Sequence, residues 1–297
     1  MSNLLNKRLA RSLWRTKPRL FAVVMMVAVG VFAGITFSGY SHNLDGMYET
    51  LHGDDDEGAN LADMWIDNRS TTWSHEEVMN FCSALEASWP ADMDELDSCE
   101  GRTIVQGTMF HSNDGGTQII NSLWHGIPEF ANADRVWMPS GHSEGRVASA
   151  ADEIVIDAHV VDALDLSLGD TVHIGAGSSP VEFSIVGIGY HPLHVFMAPE
   201  GSIFPPEPGQ YVVGYVSDSG MARLTNSTIG NSNTILLDVE GTPSFDLPDT
   251  EEYEGDEIDS VRNLVSRALE NAELDGRIRD RGPVSYTHLT LPTIYSV

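Results

Sequence analysis

An uncharged apolar stretch near the N-terminus is the feature that most limits what this chain can fold into. From Leu20 to Phe37 the sequence reads LFAVVMMVAVGVFAGITF, which is eighteen residues without a charged side chain. At about 1.5 Å per residue, a helix of this length extends roughly 27 Å, close to the thickness of the hydrocarbon core of a bilayer. We therefore expect a transmembrane helix over residues 20–40, and no second stretch of this kind follows in the sequence.

The charges on either side of this stretch predict its orientation. Residues 1–19 carry six basic side chains and no acidic one, and the next basic residue after the stretch is Arg69. Since basic flanks remain on the cytoplasmic side, residues 1–19 are expected to be a cytoplasmic, basic amphipathic segment in contact with membrane lipid. Residues from about Tyr40 onward are then extracytoplasmic. A cleaved signal peptide is the alternative, but the apolar stretch is long and no clear Ala-x-Ala cleavage site follows it.

The composition excludes two classes of protein. The chain has 44 acidic and 16 basic residues, a formal net charge of −28. From Asp45 to the end there are ten Arg, no Lys and all 44 acids, so this part carries −34 and repels nucleic acid. The only lysines are Lys7 and Lys17, so no Gly-x-x-x-x-Gly-Lys-Ser/Thr phosphate-binding loop exists and the chain is not itself a P-loop ATPase.

The part after the apolar stretch has the pattern of an α+β domain. Ser74 to Glu77 form a capping-box pattern, and apolar residues at helical spacing follow as far as Pro90, which predicts a helix. Further helices are predicted near residues 158–164 and over 258–274, a proline-rich loop over 191–209 and an acidic linker over 246–259. Alternating apolar residues predict strands over 61–67, 102–110, 117–124, 153–157, 171–174, 181–187, 210–217 and 233–240. The expected fold is therefore an α+β extracytoplasmic domain on a single N-terminal transmembrane helix.

Two cysteines, Cys82 and Cys99, both fall in the part predicted to be extracytoplasmic. Such compartments permit disulfides, and Pro90 breaks the chain between the two cysteines in a way that allows a bridge. Alternatively, Cys82 is a core residue on the apolar face of its helix. The sequence leaves both interpretations open.

One short motif matches a catalytic pattern. Residues 141–145, Gly-His-Ser-Glu-Gly, fit the Gly-x-Ser-x-Gly elbow of α/β-hydrolases and would make Ser143 the nucleophile of a secreted hydrolase. Such an elbow needs a strand directly before the serine, and Pro139 interrupts that approach. The alternating βα units of the hydrolase fold are also missing, so no catalytic residue is predicted.

Histidines at two places invite a metal-site interpretation. His191 and His194 form a His-x-x-His pair, but they lie in a proline-rich stretch without helical spacing or an evident third ligand. His52 is followed by four acidic residues that lack the glycine and distal glutamate of a calcium-binding loop. Both places are interpreted as surface residues, and neither a metal ligand nor a cofactor-binding residue is predicted.

Two longer stretches resemble a known family. The first, RLARSLWRTKPRLFAVVMMVAVGVFAGITFSGY over residues 8–40, is similar to the basic amphipathic segment and first span of ABC-transporter permeases of the MacB/FtsX type. The second, residues 144–192, resembles their extracytoplasmic core, and residues 61–67 match the same pattern. The motif positions in the second stretch are Gly145-Arg146, Leu166-Ser-Leu-Gly169-Asp170 and Val186-Gly187-Ile188.

The resemblance covers roughly residues 4–280 and implies a function. It implies that residues 41–283 form a MacB-like extracytoplasmic core domain, either whole or as two subdomains. It also implies a subunit without bond-making chemistry, a separate ABC ATPase at the cytoplasmic face and a second permease subunit as its pair. ATP-driven movement of the exterior domain would then serve export or mechanotransmission. The alternative function is that of a single-pass anchored domain that binds a ligand or partner outside the cell.

The last residues differ from the family pattern. Permeases of this type carry further spans, whereas residues 284–297 read VSYTHLTLPTIYSV, which resembles a translated sequencing adapter. We interpret residues 284–297 as a non-native tail, with a genuine short strand as the alternative.

Overall fold

The computed structural model describes residues 21–32, 34–35, 58–68, 71–113, 116–128, 130–177, 179–194, 206–240 and 258–280. Contacts divide the chain into two units, Met1–Thr50 and Leu51–Val297. In the first unit, residues 21–32 and 34–35 are helical with exposed side chains. Nowhere in the described ranges does a helix combine the length and the apolar character needed to cross a membrane.

Several predicted features lie outside the described residues. These are the basic segment over residues 1–19, the remainder of the span predicted over 20–40, His52 with its acidic neighbours, most of the acidic linker and the tail over 284–297.

The second unit is a mixed α/β domain built on a ten-stranded sheet. Its helices are α1 (His75–Ala87), α2 (Ala158–Leu164), α3 (Asp218–Thr225) and α4 (Ile258–Asn271). Its strands are β1 (Met64–Asp67), β2 (Leu96–Asn113), β3 (Gly116–Gly126), β4 (Glu144–Gly145), β5 (Glu153–Asp157), β6 (Thr171–Gly175), β7 (Val181–Gly189), β8 (Tyr211–Val216), β9 (Thr234–Val239) and β10 (Arg277–Asp280). The strand order is β10-β1-β9-β2-β3-β8-β5-β7-β4, and β6 pairs with both β2 and β7.

The long strand β2 connects two hydrophobic cores. Residues 96–102 of β2 pair with β9, whereas residues 103–113 pair with β3. One core lies where α1 and α4 pack on the β1 and β9 side of the sheet, and Phe81 and Val261 are among its buried residues. The other core is formed by β3 and β5 to β8 with α2 and α3, and its largest fully buried side chain is Trp124. Each half of the sheet therefore buries its own apolar face.

The N-terminus of α1 confirms the predicted capping box. The hydroxyl of Ser74 accepts a hydrogen bond from the backbone N–H of Glu77 at 3.3 Å, and the Glu77 carboxylate accepts from the Ser74 N–H at 2.7 Å. These two bonds satisfy N–H groups that a helix start otherwise leaves unpaired. The pKa of Glu77 is lowered because its charged carboxylate accepts hydrogen bonds from the backbone N–H and the hydroxyl of Ser74.

A disulfide joins α1 to β2. Cys82 and Cys99 are bonded with their Cα atoms 5.6 Å apart. Cys82 also lies on the buried face of α1, beside Phe81 and Leu85, so the two interpretations of this residue are compatible. The bond fixes the apolar face of the helix on the strand that it covers.

Candidate functional site

A group of histidine and acidic side chains gathers where the chain leaves β7 and crosses β3, β5 and β8. In the parallel pairing of β3 and β8, His125 lies directly beside Tyr215. In the antiparallel pairing of β5 and β8, Tyr215 lies opposite Val155, and Asp157 is two residues further along the same face of β5. The register of three strands therefore places one imidazole, one phenol and one carboxylate within reach of each other.

The turn after β7 adds two more imidazoles to this group. Residue 190 forms a β-bridge with residue 137, and a short 3-10 helix, Pro192–His194, follows. His194 Nε2 lies 2.8 Å from His125 Nε2. The ring of His191 stacks on Tyr215 with 5.4 Å between centroids and 17° between planes, and its centroid is 4.8 Å from that of His125. We call His125, His191 and His194 the histidine cluster.

The interpretation of His191 and His194 as surface residues is wrong. His125 and His191 are each only 3% exposed, and His194 is partly buried. Their partner His125 is 69 residues away from His194 in the chain, so no local spacing could indicate the cluster.

Burial keeps the cluster neutral near neutral pH. Removal from water disfavours the imidazolium form, and it is the largest cause that lowers the pKa of each of the three residues. The pKa of His194 falls to about 4, and those of His125 and His191 lie well below the usual value. One Nε2–H of the His125 and His194 pair then donates to the other Nε2, since a neutral ring carries one N–H and one acceptor nitrogen.

Asp157 organises the other side of Tyr215. Its side chain is fully buried, and one carboxylate oxygen accepts from the backbone N–H of His159 at 3.0 Å and from its Nδ1 at 2.6 Å. The other oxygen accepts from the Tyr215 hydroxyl at 2.9 Å. The hydrogen bond to Asp157 raises the pKa of His159, whereas burial is the main cause that raises the pKa of Tyr215 well above its usual value. Asp157 also caps the start of α2.

The cluster does not have the arrangement of a metal centre. His191 Nδ1 already accepts from the backbone N–H of Leu193 at 3.2 Å. Within the ranges that the structure describes, no group of three His, Cys, Asp or Glu side chains is placed to hold a metal ion. What the arrangement offers chemically is a set of buried groups that differ in their affinity for protons.

A small cavity lies against Tyr215. Its volume is about 210 Å³, which is below the roughly 300 Å³ at which ligand pockets usually begin. Tyr215 and Arg135 are the lining residues with polar side chains, and the other lining residues are Ile127, Pro128, Ala131, Val136, Val147, Ala148, Val155 and Val216.

The residues of the permease-like motif have structural roles. Gly145 has φ +79°, and a Cβ there would lie 2.2 Å from the carbonyl oxygen of Val186, so only glycine allows the β4–β7 pairing. The guanidinium of Arg146 binds the Glu153 carboxylate with two hydrogen bonds, one of 2.8 Å between Nη1 and Oε2. Glu153 also accepts from the backbone N–H groups of Ser149 and Ala150. Arg146 is the main cause that holds the pKa of Glu153 well below its usual range.

The second part of the motif forms the turn between α2 and β6. Gly169 has φ +86°, and its N–H donates to the carbonyl of Ile185 at 2.8 Å. The carboxylate of Asp170 accepts from the N–H of Ser167 at 2.8 Å. The first of these contacts attaches the turn to β7, and the second closes the turn on itself.

Ser143 does not occupy a nucleophile elbow. Its hydroxyl donates to the carbonyl of Pro139 at 2.9 Å, and the two-residue strand β4 follows it instead of a helix. An elbow would place the serine between a strand and a helix.

The fold is similar to those of several solved structures. The periplasmic region of MacB from Actinobacillus actinomycetemcomitans matches with 12% identity and a TM-score of 0.41, over 77% of this chain and 92% of that one. The extracellular domain of the noncanonic ABC-type transporter YknZ from Gram-positive bacteria matches with 12% identity and a TM-score of 0.37, over 74% and 98%. A domain of a permease protein from Porphyromonas gingivalis matches with 11% identity and a TM-score of 0.35, over 77% and 98%.

No protein-family model matches the chain, and no curated protein sequence matches it.

Proposed function

We propose that this chain is the N-terminal part of a permease subunit of an ABC transporter, and that its mixed α/β domain is extracytoplasmic. The observation that carries the proposal is the motif-bearing stretch over residues 144–192. Its Gly-Arg, Gly-Asp and Val-Gly-Ile positions, quoted above for their resemblance to MacB/FtsX-type permeases, each have a defined structural role in joining β4, β5, β6 and β7.

In this function the chain couples a partner ATPase to movement of its own extracytoplasmic domain. Its sequence has no phosphate-binding loop, so the energy comes from a separate ATPase at the cytoplasmic face. A second permease subunit pairs with it across the membrane. The residues of the motif-bearing stretch are occupied with turns, caps and ion pairs, which suits a domain that transmits displacement for export or mechanotransmission.

In the proposed function, the chain does not catalyse the making or breaking of covalent bonds. The hydroxyl of Ser143 is directed to a backbone carbonyl, and among the described residues it has no hydrogen-bonded histidine that could act as a base. Any esterase activity in a preparation of this protein should therefore be unchanged by Ser143→Ala. A loss of that activity in the variant would favour the alternative function of a secreted hydrolase.

The genomic region that encodes the chain provides the decisive test. We expect the reading frame to continue past Pro283 into several further apolar stretches of about 20 residues, each long enough to span a bilayer. We also expect a neighbouring gene for an ATPase with a phosphate-binding loop. Co-expression of the complete subunit with that ATPase should yield a complex that survives affinity purification from membranes.

Two results together would overturn this function. One is intact genomic DNA with a stop codon directly after Val297. The other is the absence of a neighbouring ATPase gene. That outcome would instead support a single-pass anchored domain that binds a ligand or partner.

A further inference from the structure

We propose that the histidine cluster is a proton-operated latch, which holds the turn Tyr190–His194 on the sheet while its imidazoles are neutral and opens as protonation of His194 becomes favourable. The proposal concerns this site alone, and it does not depend on the permease function.

Several contacts hold the turn. At its start, Tyr190 and Trp137 exchange two backbone hydrogen bonds of 2.8 Å. In its middle, His191 stacks on Tyr215. At its end, the Nε2 atoms of His125 and His194 share one hydrogen bond of 2.8 Å. This last contact is a hydrogen bond between two titratable side chains.

The number of protons decides whether that contact survives. With no added proton or with one, an N–H on one ring still faces a lone pair on the other. With two added protons both nitrogens are donors, and two positive charges are held on rings whose centroids are 4.9 Å apart. Buried charges at this distance are poorly screened, so the rings separate. The 3-10 turn that carries His194 is the smaller of the two elements, whereas His125 is fixed inside β3 by hydrogen bonds to β2 and β8.

The surroundings offset the added charge only in part. The charge of Asp157 favours the protonated form of His194, but burial outweighs it and the pKa of His194 remains lowered. The carboxylate of Asp157 is already bound by His159 and Tyr215, and that of Asp134 accepts from Trp65 Nε1 and the N–H of Ala62. The titratable and charged groups around the cluster are Glu100 and Arg102 on β2, Asp134 in the following loop, Asp157 on β5, His159 on α2, Tyr190 and Tyr215.

Arg102 strengthens this effect. Its side chain is buried, it carries a permanent positive charge, and that charge lowers the pKa of both His125 and His191. The cluster therefore takes up protons against an existing charge of the same sign.

The sign and size of the pH response follow from linkage. The pKa of His194 is about 4 with the turn closed and close to the usual 6.5 once the ring reaches water. Because the closed state has the lower pKa, the latch is stable at neutral pH and weakens as the pH falls below about 6.5. For His194 alone, the equilibrium constant for opening rises roughly 30-fold between about pH 7.5 and about pH 5.

Hydrogen–deuterium exchange of the full chain in detergent micelles tests the latch. Exchange is measured by mass spectrometry at about pH 7.5 and about pH 5, and the rates are corrected for the intrinsic pH dependence of amide exchange. We expect the opening constant of the amides over residues 190–194 to rise roughly 30-fold, while the amides of β5 and α2 keep their protection. An unchanged constant in the turn, or an equal rise throughout the sheet, would contradict the latch.

Two matched variants separate the cluster from histidines in general. His194→Gln keeps a group that can hydrogen-bond with His125 but does not titrate in this range, so the pH response of the turn should fall below about threefold. His173 on β6 is 54% exposed and faces Glu182, so His173→Gln should leave the response at the wild-type value. If His194→Gln does not fold, His125→Gln makes the same test from the strand side. A wild-type response in both cluster variants would overturn the proposal.

Discussion

The disulfide between Cys82 and Cys99 allows a quantitative test of what holds the first core together. The bond closes a loop with a sequence separation of 17 residues. In the chain-entropy model, such a loop reduces the entropy of the unfolded chain by about 10 cal/mol/K, which is about 3 kcal/mol at room temperature. Replacing both cysteines with alanine should therefore lower the free energy of unfolding by about 3 kcal/mol.

The assay is urea unfolding of the full chain in detergent micelles, followed by tryptophan fluorescence with and without a reducing agent. With a denaturant slope of about 3 kcal/mol per M, the midpoint should fall by about 1 M. Each single replacement should cost about as much as the double replacement, because the same bond is lost in all three variants. Addition of reductant should shift the wild type alone.

Two outcomes would refute this reasoning. If the effects of Cys82→Ala and Cys99→Ala add up in the double variant, the loss comes from packing of the individual side chains and not from the bond. If reductant leaves the wild-type midpoint unchanged, the loop-closure entropy does not stabilise the domain.

Three further predictions concern other contacts of the fold. Gly107→Ala should cost about 4 kcal/mol in the same urea assay, because its Cβ would lie 2.2 Å from both Trp124 Nε1 and the Gly175 carbonyl, which are hydrogen-bonded to each other. Gln106→Ala on the exposed side of the strand is its control and should change little. Tyr215→Phe removes a donor from the buried Asp157 carboxylate and should cost about 1–3 kcal/mol, with Tyr190→Phe as the comparison. In Glu153→Gln, the decline of stability in acid should be shallower. The reason is that the pKa of Glu153 is lowered in the folded chain, so the wild type loses this contribution as the pH falls below 4.5 and the variant has none to lose. Parallel urea titrations between about pH 6 and about pH 3 measure this difference, and equal slopes for both proteins would contradict it.

Local signals explain which elements could be predicted from the sequence. The capping box of α1 and the alternating strand β5 followed by α2 are specified within a few neighbouring residues, and the structure has them where the pattern indicates. The first predicted strand is shorter than expected, since only Met64–Asp67 pair as β1.

Elements that depend on distant partners were not predicted. The sequence of β10, Arg-Ile-Arg-Asp, is mostly charged, and it forms a strand because β1 provides an antiparallel partner and Asp67 pairs with Arg279. The helix α3 contains Gly220, which is a poor helix former, and Ser217 caps its start by accepting from the Gly220 N–H.

In the candidate site, too, some features are specified by nearby residues and others depend on distant partners. The His-x-x-His pair was visible in the sequence, but its burial depends on His125 and Tyr215, which reach it through strand pairing. No pattern of nearby residues reports which strands become neighbours, so the cluster could be found only in the folded chain.

The shared strand β2 has a consequence for how the domain unfolds. Its first residues complete the sheet of one core and its last residues complete the sheet of the other. If one half of the sheet unfolds, its part of β2 becomes disordered. The other half then loses support for the part of β2 that it uses as a hydrogen-bonding partner. The described domain should therefore lose its structure in a single cooperative transition, with equal calorimetric and van't Hoff enthalpies, although its hydrophobic core is divided.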